Sequence, residues 1–187
     1  MTWNEHTIAR AISLQLLQRK CIVMVPNCSW TGHECDVLAV TTDLRIIDIE
    51  VKISRSDLKA DAGKDKWWHR LNYSQAVQAG RQQPGQPWDP YAHRMPREWP
   101  RKVWKHYYAL PADIWTDELM ARLPSPRSGV LLLREGRGTV PVVVECRRRA
   151  TPDKDAAKLT AEQAVDIARL ANLRMWDAYM QRDRATA

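Results

Sequence analysis

Residues 34–68, ECDVLAVTTDLRIIDIEVKISRSDLKADAGKDKWW, restrict what this chain can fold into more than any other stretch. Apolar, β-branched residues crowd positions 37–40 and 46–53, the composition of two strands. Thr41, Thr42 and Asp43 between them suit a short hairpin turn, so the strands are expected to pair antiparallel. Side chains alternate faces along a strand, which points Glu50 and Lys52 one way and Ile49 and Val51 the other. The hairpin then brings Glu50 and Lys52 back toward Asp36. Charges set in the most apolar part of a chain are costly unless they are paired or bind a metal.

Two carboxylates and an ammonium held on strands suit metal-assisted phosphodiester hydrolysis. The carboxylates can hold a hard cation, Mg2+ or Mn2+ in its place, which keeps several waters. Such a cation acidifies a bound water and polarises a phosphoryl group. A lysine beside it orients the water or offsets negative charge building on the phosphate. The expected catalytic set is Asp36, Glu50 and Lys52, and Asp48 shares the nominal parity of Glu50. The plainer reading is an edge strand whose charges face solvent.

On these residues the stretch resembles the PD-(D/E)xK nuclease superfamily, with Asp36 as the strand-two aspartate and Glu50-Val51-Lys52 as the (D/E)xK run. More narrowly, DVLAV, IIDIEVKISRSDLKAD and KDKW are similar to MmcB-type DNA repair proteins, in which a related run ending in KW follows the hairpin. YYALP at 107–111, SGVLL at 128–132 and a terminal helix extend the resemblance over residues 3–180. Cys35 stands where the superfamily's name has proline, and residues 80–103 depart from the MmcB-like pattern. The resemblance implies an α/β fold of the restriction-endonuclease-like kind, a mixed β-sheet flanked by helices. It implies metal ligation by Asp36, Glu50, the Val51 backbone carbonyl and Glu5 of the first helix. Glu5 has an equal claim as a favourable charge in a first helical turn. The implied activity is that of a Mg2+-dependent deoxyribonuclease, expected as an endonuclease, in DNA repair or phage DNA metabolism. The alternative is a catalytically idle nuclease fold that binds nucleic acid or a protein partner. A weaker third reading is a dimerising accessory protein.

The length of 187 residues suits one domain, 1–187, with a Pro/Trp/Arg-rich insertion at 80–103. A formal charge of +7 favours a polyanionic partner such as DNA. Four cysteines without a signal peptide suit a reduced cytoplasm, prokaryotic or phage-encoded. Cys28, His33 and Cys35 match no common zinc spacing. No apolar run has the length to span a membrane.

Residues 3–19 have the periodicity of an amphipathic helix, with Ile8, Ile12 and Leu16 in its stripe. A strand is expected at 21–25, completing an antiparallel meander. A helix capped by Ser56 or Asp57 is expected over 57–79, bent near Gly63. It carries Lys64 and Lys66 as phosphate contacts and Trp67 as a packing anchor or base stacker. The insertion interleaves Arg94, Arg97 and Arg101 with Trp88, Tyr91 and Trp99, which fits a substrate clamp as well as a packed lid. Strands at 104–110, 129–134 and 139–146 follow, with a short helix at 112–122. Arg147 and Arg148 after the last strand either hold backbone phosphates or are solvated. A helix over 160–181 closes the sheet.

Overall fold

The computed structural model describes residues 3–87, 93–138 and 141–186. Helix α1, Glu5–Ile12, starts at Asn4, whose side chain accepts a hydrogen bond from the Thr7 amide at 2.8 Å. A π-helical turn, Ser13–Leu17, continues it. Strands β1 (Cys21–Cys28), β2 (Cys35–Thr41) and β3 (Ile46–Val51) then form the expected antiparallel meander. The hairpin between β2 and β3 is tied by Thr41, whose hydroxyl donates to Asp43 at 2.6 Å and accepts from the Arg45 amide at 2.9 Å.

The connection after β3 differs from the single helix expected over 57–79. It runs through α2 (Arg55–Ala60), 3-10 turns at Asp61–Gly63 and Asp65–Trp67, strand β4 (Trp68–Arg70) and α3 (Tyr73–Gln78). Asp61 and Lys64 are one turn apart and meet as an ion pair. Lys66 would lie on the far side of a continued helix, and extended backbone at Lys64 (φ −67°, ψ 142°) lets it turn inward instead. Ser54 caps α2, accepting from the Asp57 amide at 3.1 Å, in place of Ser56 or Asp57. The insertion contributes β5 (Arg94–Pro96), which pairs with β4 as a separate two-stranded ribbon. Trp88 and Tyr91 lie outside the described residues.

Strands β6 (Lys105–Pro111), β7 (Gly129–Glu135) and β8 (Val142–Arg148) complete a sheet of order β1-β2-β3-β6-β7-β8. It is mixed: β3, β6 and β7 run parallel, and both outer pairings are antiparallel. The short helix expected at 112–122 is a 3-10 turn, Asp117–Arg122. Helix α4, Ala161–Thr186, follows, with Thr160 and Gln163 capping each other's amides. The chain therefore has the expected α/β architecture, a six-stranded mixed sheet flanked by helices.

Strand alternation sorts the core into two layers. Ile47, Ile49 and Val51 of β3 pack with Ile8, Ala11 and Ile12 of α1. On the opposite face, Ile167 of α4 packs with Leu38, Val40, Ile46 and Trp99. Beside it Leu58 and Trp67 pack on Tyr108, Leu110, Val130 and Leu132. Asp48, Glu50 and Lys52 alternate with the three α1-facing residues along β3, and all three are buried. Among the described residues no helix is long and apolar enough to cross a membrane.

Candidate active site

Register brings the expected trio together. Val37 of β2 faces Ile49 of β3, so Asp36 sits beside Glu50 at the end of the strand pair. The Asp36 carboxylate accepts the Val51 amide at 2.6 Å. In a strand the carbonyl of a residue points to the same side as its amide. The Val51 carbonyl therefore points toward the β2 side as well, which puts it at the same end of the strand pair as Asp36 and Glu50, and all three are oxygens of the kind a hard cation takes.

Glu50 is fully buried, and three lysines converge on it. Lys66 Nζ lies 2.7 Å from Oε1, while Lys64 and Lys52 lie 2.7 and 3.2 Å from Oε2. Lys52 also reaches Asp61 at 2.8 Å and Asp57 at 3.7 Å. Asp61 in turn accepts the Tyr108 hydroxyl at 2.5 Å and the Trp67 indole N–H at 2.9 Å. Lys66 extends the network to Asp48 at 3.7 Å and His106 Nε2 at 3.0 Å, and His106 Nδ1 meets Ser128 at 3.0 Å. Although Lys66 and Lys52 touch them at ion-pair distance, Glu50 Oε1 and Asp61 Oδ1 accept no aligned hydrogen bond.

The electrostatics follow from burial working against these neighbours. Burial alone would raise the pKa of Asp48, Glu50 and Asp61, but Lys66 leads a set of partners that hold all three below the usual carboxylate range. Burial opposes the charge on Lys66 and Lys64 too, yet the carboxylates keep both pKa values raised. His106 is pushed down to about 3 by burial and by Lys66, so it is neutral and accepts from the ammonium. Asp36 moves the other way, up to about 6, through burial and the adjacent Glu50 charge. A carboxylate whose ionised form is disfavoured by a second carboxylate is the arrangement a divalent cation relieves.

Other expected site residues are placed differently. Glu5 is exposed in the first turn of α1, whose buried residues pack on the β3 face opposite Glu50. No hydrogen bond or ion pair joins it to Asp36 or Glu50. Lys66, expected at phosphate, is 3% exposed and committed to Glu50, which makes it an interior counter-ion. Trp67 is a packing anchor, buried and donating to Asp61. Lys64 is the one cluster lysine with a substantially exposed side chain, at 45%. Arg94 pairs with Asp65, Arg97 lies against His69, and Arg101 is exposed near both Arg97 and His69. Trp99 is buried and donates to the Val103 carbonyl. Arg147 is exposed, and its Nη2 donates to both carboxylate oxygens of Asp117. Arg148 is half-buried and donates to the Ser128 carbonyl.

Asp61, Tyr108 and His106 are members that sequence reasoning did not assign. Asp61 left a trace in its spacing from Lys64, whereas a lone histidine in an apolar strand carries no signal of what it faces. A cavity of about 610 Å³ lies away from this cluster. It opens on the α1 side of the sheet, over Ile47, Ile49 and Trp104, with Arg19, Lys20, Lys105 and Arg149 among its lining residues.

Neither family models nor curated proteins match the sequence. Among solved structures, the chain is similar to SPO1766, a protein of unknown function from Silicibacter pomeroyi. The two share 17% identity and a TM-score of 0.54, with 100% of this chain and 97% of that one covered. At that identity the likeness bears on the fold, and it extends over the whole of the mixed sheet and its flanking helices.

Proposed function

We propose that this protein is a metal-dependent nuclease that hydrolyses DNA phosphodiester bonds with Asp36, Glu50 and Lys52. The observation that carries the reading is the meeting of Asp36, Glu50 and the Val51 carbonyl side at the end of β2 and β3, with Lys52 on the same buried cluster. Mg2+ or Mn2+ held by those oxygens would acidify a water and polarise the phosphoryl group. Lys52, anchored between Glu50 and Asp61, holds its ammonium where it can position that water and offset charge on the phosphate. Lys64, whose half-exposed side chain lies against Glu50 Oε2, is the lysine that a cation or phosphate would displace. Lys66 stays in the interior and keeps Glu50 ionised. Arg97 and Arg101 offer charge for the DNA backbone.

One observation favours the second reading, an idle nuclease fold that only binds. Both Glu50 oxygens already face lysines, so a cation competes with Lys64. Cleavage of single- and double-stranded DNA in Mg2+ and in Mn2+ separates the two. Wild type is expected to cut, and Asp36→Asn to lose cutting while keeping its circular dichroism spectrum. Asp36→Asn is the gentler probe because Lys52→Ala would remove a buried ammonium that Glu50 and Asp61 share. Absence of cleavage by wild type in every condition would leave the binding reading. Unchanged cleavage by D36N would place the activity elsewhere.

A further inference from the structure

A second cluster lies one step down β3 from Glu50. His33 Nε2 sits 3.1 Å from Asp48 Oδ2 and 3.7 Å from Cys35 Sγ, and the three ligand atoms all fall within 4.8 Å of one another. Three local features converge to place them. Cys35 opens β2 with its thiol on the Asp48 side of the sheet, and Asp48 occupies the middle of β3. His33 returns over both strands from the β1–β2 connection, where Gly32 takes a left-handed φ of +95°. The Thr31 hydroxyl donates to the His33 carbonyl at 2.9 Å and touches Cys35 Sγ at 3.6 Å, which fixes the connection against the thiol.

We propose that His33, Cys35 and Asp48 form a zinc site with one coordination position left open. A tetrahedral zinc ion with bonds of about 2.0–2.1 Å to nitrogen and oxygen and about 2.3 Å to sulfur sets N···O edges near 3.3 Å and N···S edges near 3.5 Å. The His33–Asp48 and His33–Cys35 edges match those lengths within a few tenths of an ångström, and the Cys35–Asp48 edge closes the triangle within 4.8 Å. The donor set of thiolate, imidazole and carboxylate selects a borderline-soft ion over Mg2+. Asp48, whose Oδ2 faces His33, is 0% exposed and keeps a second buried oxygen, Oδ1, without a hydrogen-bond partner, so the carboxylate has acceptor capacity to spare for an ion. The His33 side chain is 9% exposed, which gives an ion a way in from the loop side.

Coordination breaks the Cys35 S–H bond, releases its proton to solvent and forms the Zn–S bond. His33 gives up its Nε2–H hydrogen bond to Asp48, carries its ring proton on Nδ1 instead and contributes the Nε2 lone pair, and the thiolate and the Asp48 carboxylate together neutralise the 2+ charge. The fourth position is left to water or an incoming ligand, the arrangement of three protein ligands that leaves zinc chemically accessible. Lys66, between Glu50 and Asp48, separates this site from the oxygen set at Asp36. The zinc site stands independently of the nuclease reading.

Cobalt substitution tests it. The metal-free full-length protein is titrated with Co2+ and followed by absorption, then challenged with Zn2+ and with Mg2+. The expected result is a thiolate-to-cobalt charge-transfer band and visible bands of tetrahedral intensity, saturating at one equivalent. Zn2+ is expected to bleach them, and excess Mg2+ to leave them. Cys35→Ser is expected to abolish the charge-transfer band, and His33→Ala, in a connecting loop, to weaken Co2+ binding at least about tenfold. D36N is expected to keep the full spectrum. No charge-transfer band in wild type would overturn the proposal. So would a band that persists in C35S, which would assign the thiolate to Cys21, Cys28 or Cys146. A band lost in D36N would also overturn it, by merging the site with the oxygen set.

Discussion

Lys64 and Lys66 each place an ammonium 2.7 Å from an oxygen of Glu50, but they differ in burial and in their other partners, Asp61 for Lys64 and Asp48 and His106 for Lys66. The Lys66 side chain is 1% exposed and the Lys64 side chain 45%. Replacing each by Met keeps the aliphatic stem and removes the charge. In Lys66→Met, two fully buried carboxylates, Asp48 and Glu50, lose their shared interior cation, and breaking a buried pair in this way costs roughly 3–5 kcal/mol. In Lys64→Met, water replaces a half-exposed ammonium, and the loss is expected near 0–1 kcal/mol. Urea unfolding followed by Trp fluorescence reads both. With a slope of about 2–3 kcal/mol/M for a chain of this size, K66M should move the midpoint down by roughly 1–2 M and K64M by a few tenths. Adding Glu50→Gln to K66M should recover part of the loss, because the carboxylate no longer carries an unpaired charge. Equal midpoints for K64M and K66M would refute the reasoning that burial, not distance, sets the strength of these pairs. A K66M midpoint within a few tenths of wild type would refute it as well.

Asp36 carries a pH signature. Its pKa in the fold is raised to about 6 from an ordinary 3.8, so the fold binds the proton more tightly than the unfolded chain does. Its contribution is therefore fully present below about pH 4 and lost as pH rises through 6. Metal-free wild type should lose stability relative to D36N across that window, in urea melts at pH 4 and 7, and Mn2+ at pH 7 should restore it. A gap that does not change between pH 4 and 7 would remove the assignment. At Gly129, opposite Tyr107, an added Cβ would run into the tyrosine ring and lie 2.8 Å from the Ala150 amide nitrogen. Gly129→Ala should cost about 1–3 kcal/mol of overpacking, checked by thermal melting. Tyr107→Ala should relieve the ring contact but not the backbone one.

What the sequence determined by itself is local. Two apolar runs around a Thr-Thr-Asp turn have few ways to be anything but a hairpin, and strand parity alone placed Glu50 and Lys52 together opposite Val51. Asp36 followed, because an antiparallel return has one register that keeps both runs buried. Tertiary structure decided the rest. The helical pattern over 57–79 gave way because Asp61, Lys64 and Lys66 all turn toward the carboxylates of β3, and no single helix face holds positions 61, 64 and 66. Lys66 looks like a surface residue in a charged segment, yet the cost of burying it is offset by Asp48 and Glu50 of β3 together with Asp61 of its own segment. The pairing of β3 with β6 set His106 and Tyr108 beside that network, across a connection of more than fifty residues. His33, Cys35 and Asp48 meet only because a loop folds back over two paired strands. Spacing along the chain cannot report such a contact, since the distance between ligand atoms depends on register and loop path rather than on residue count.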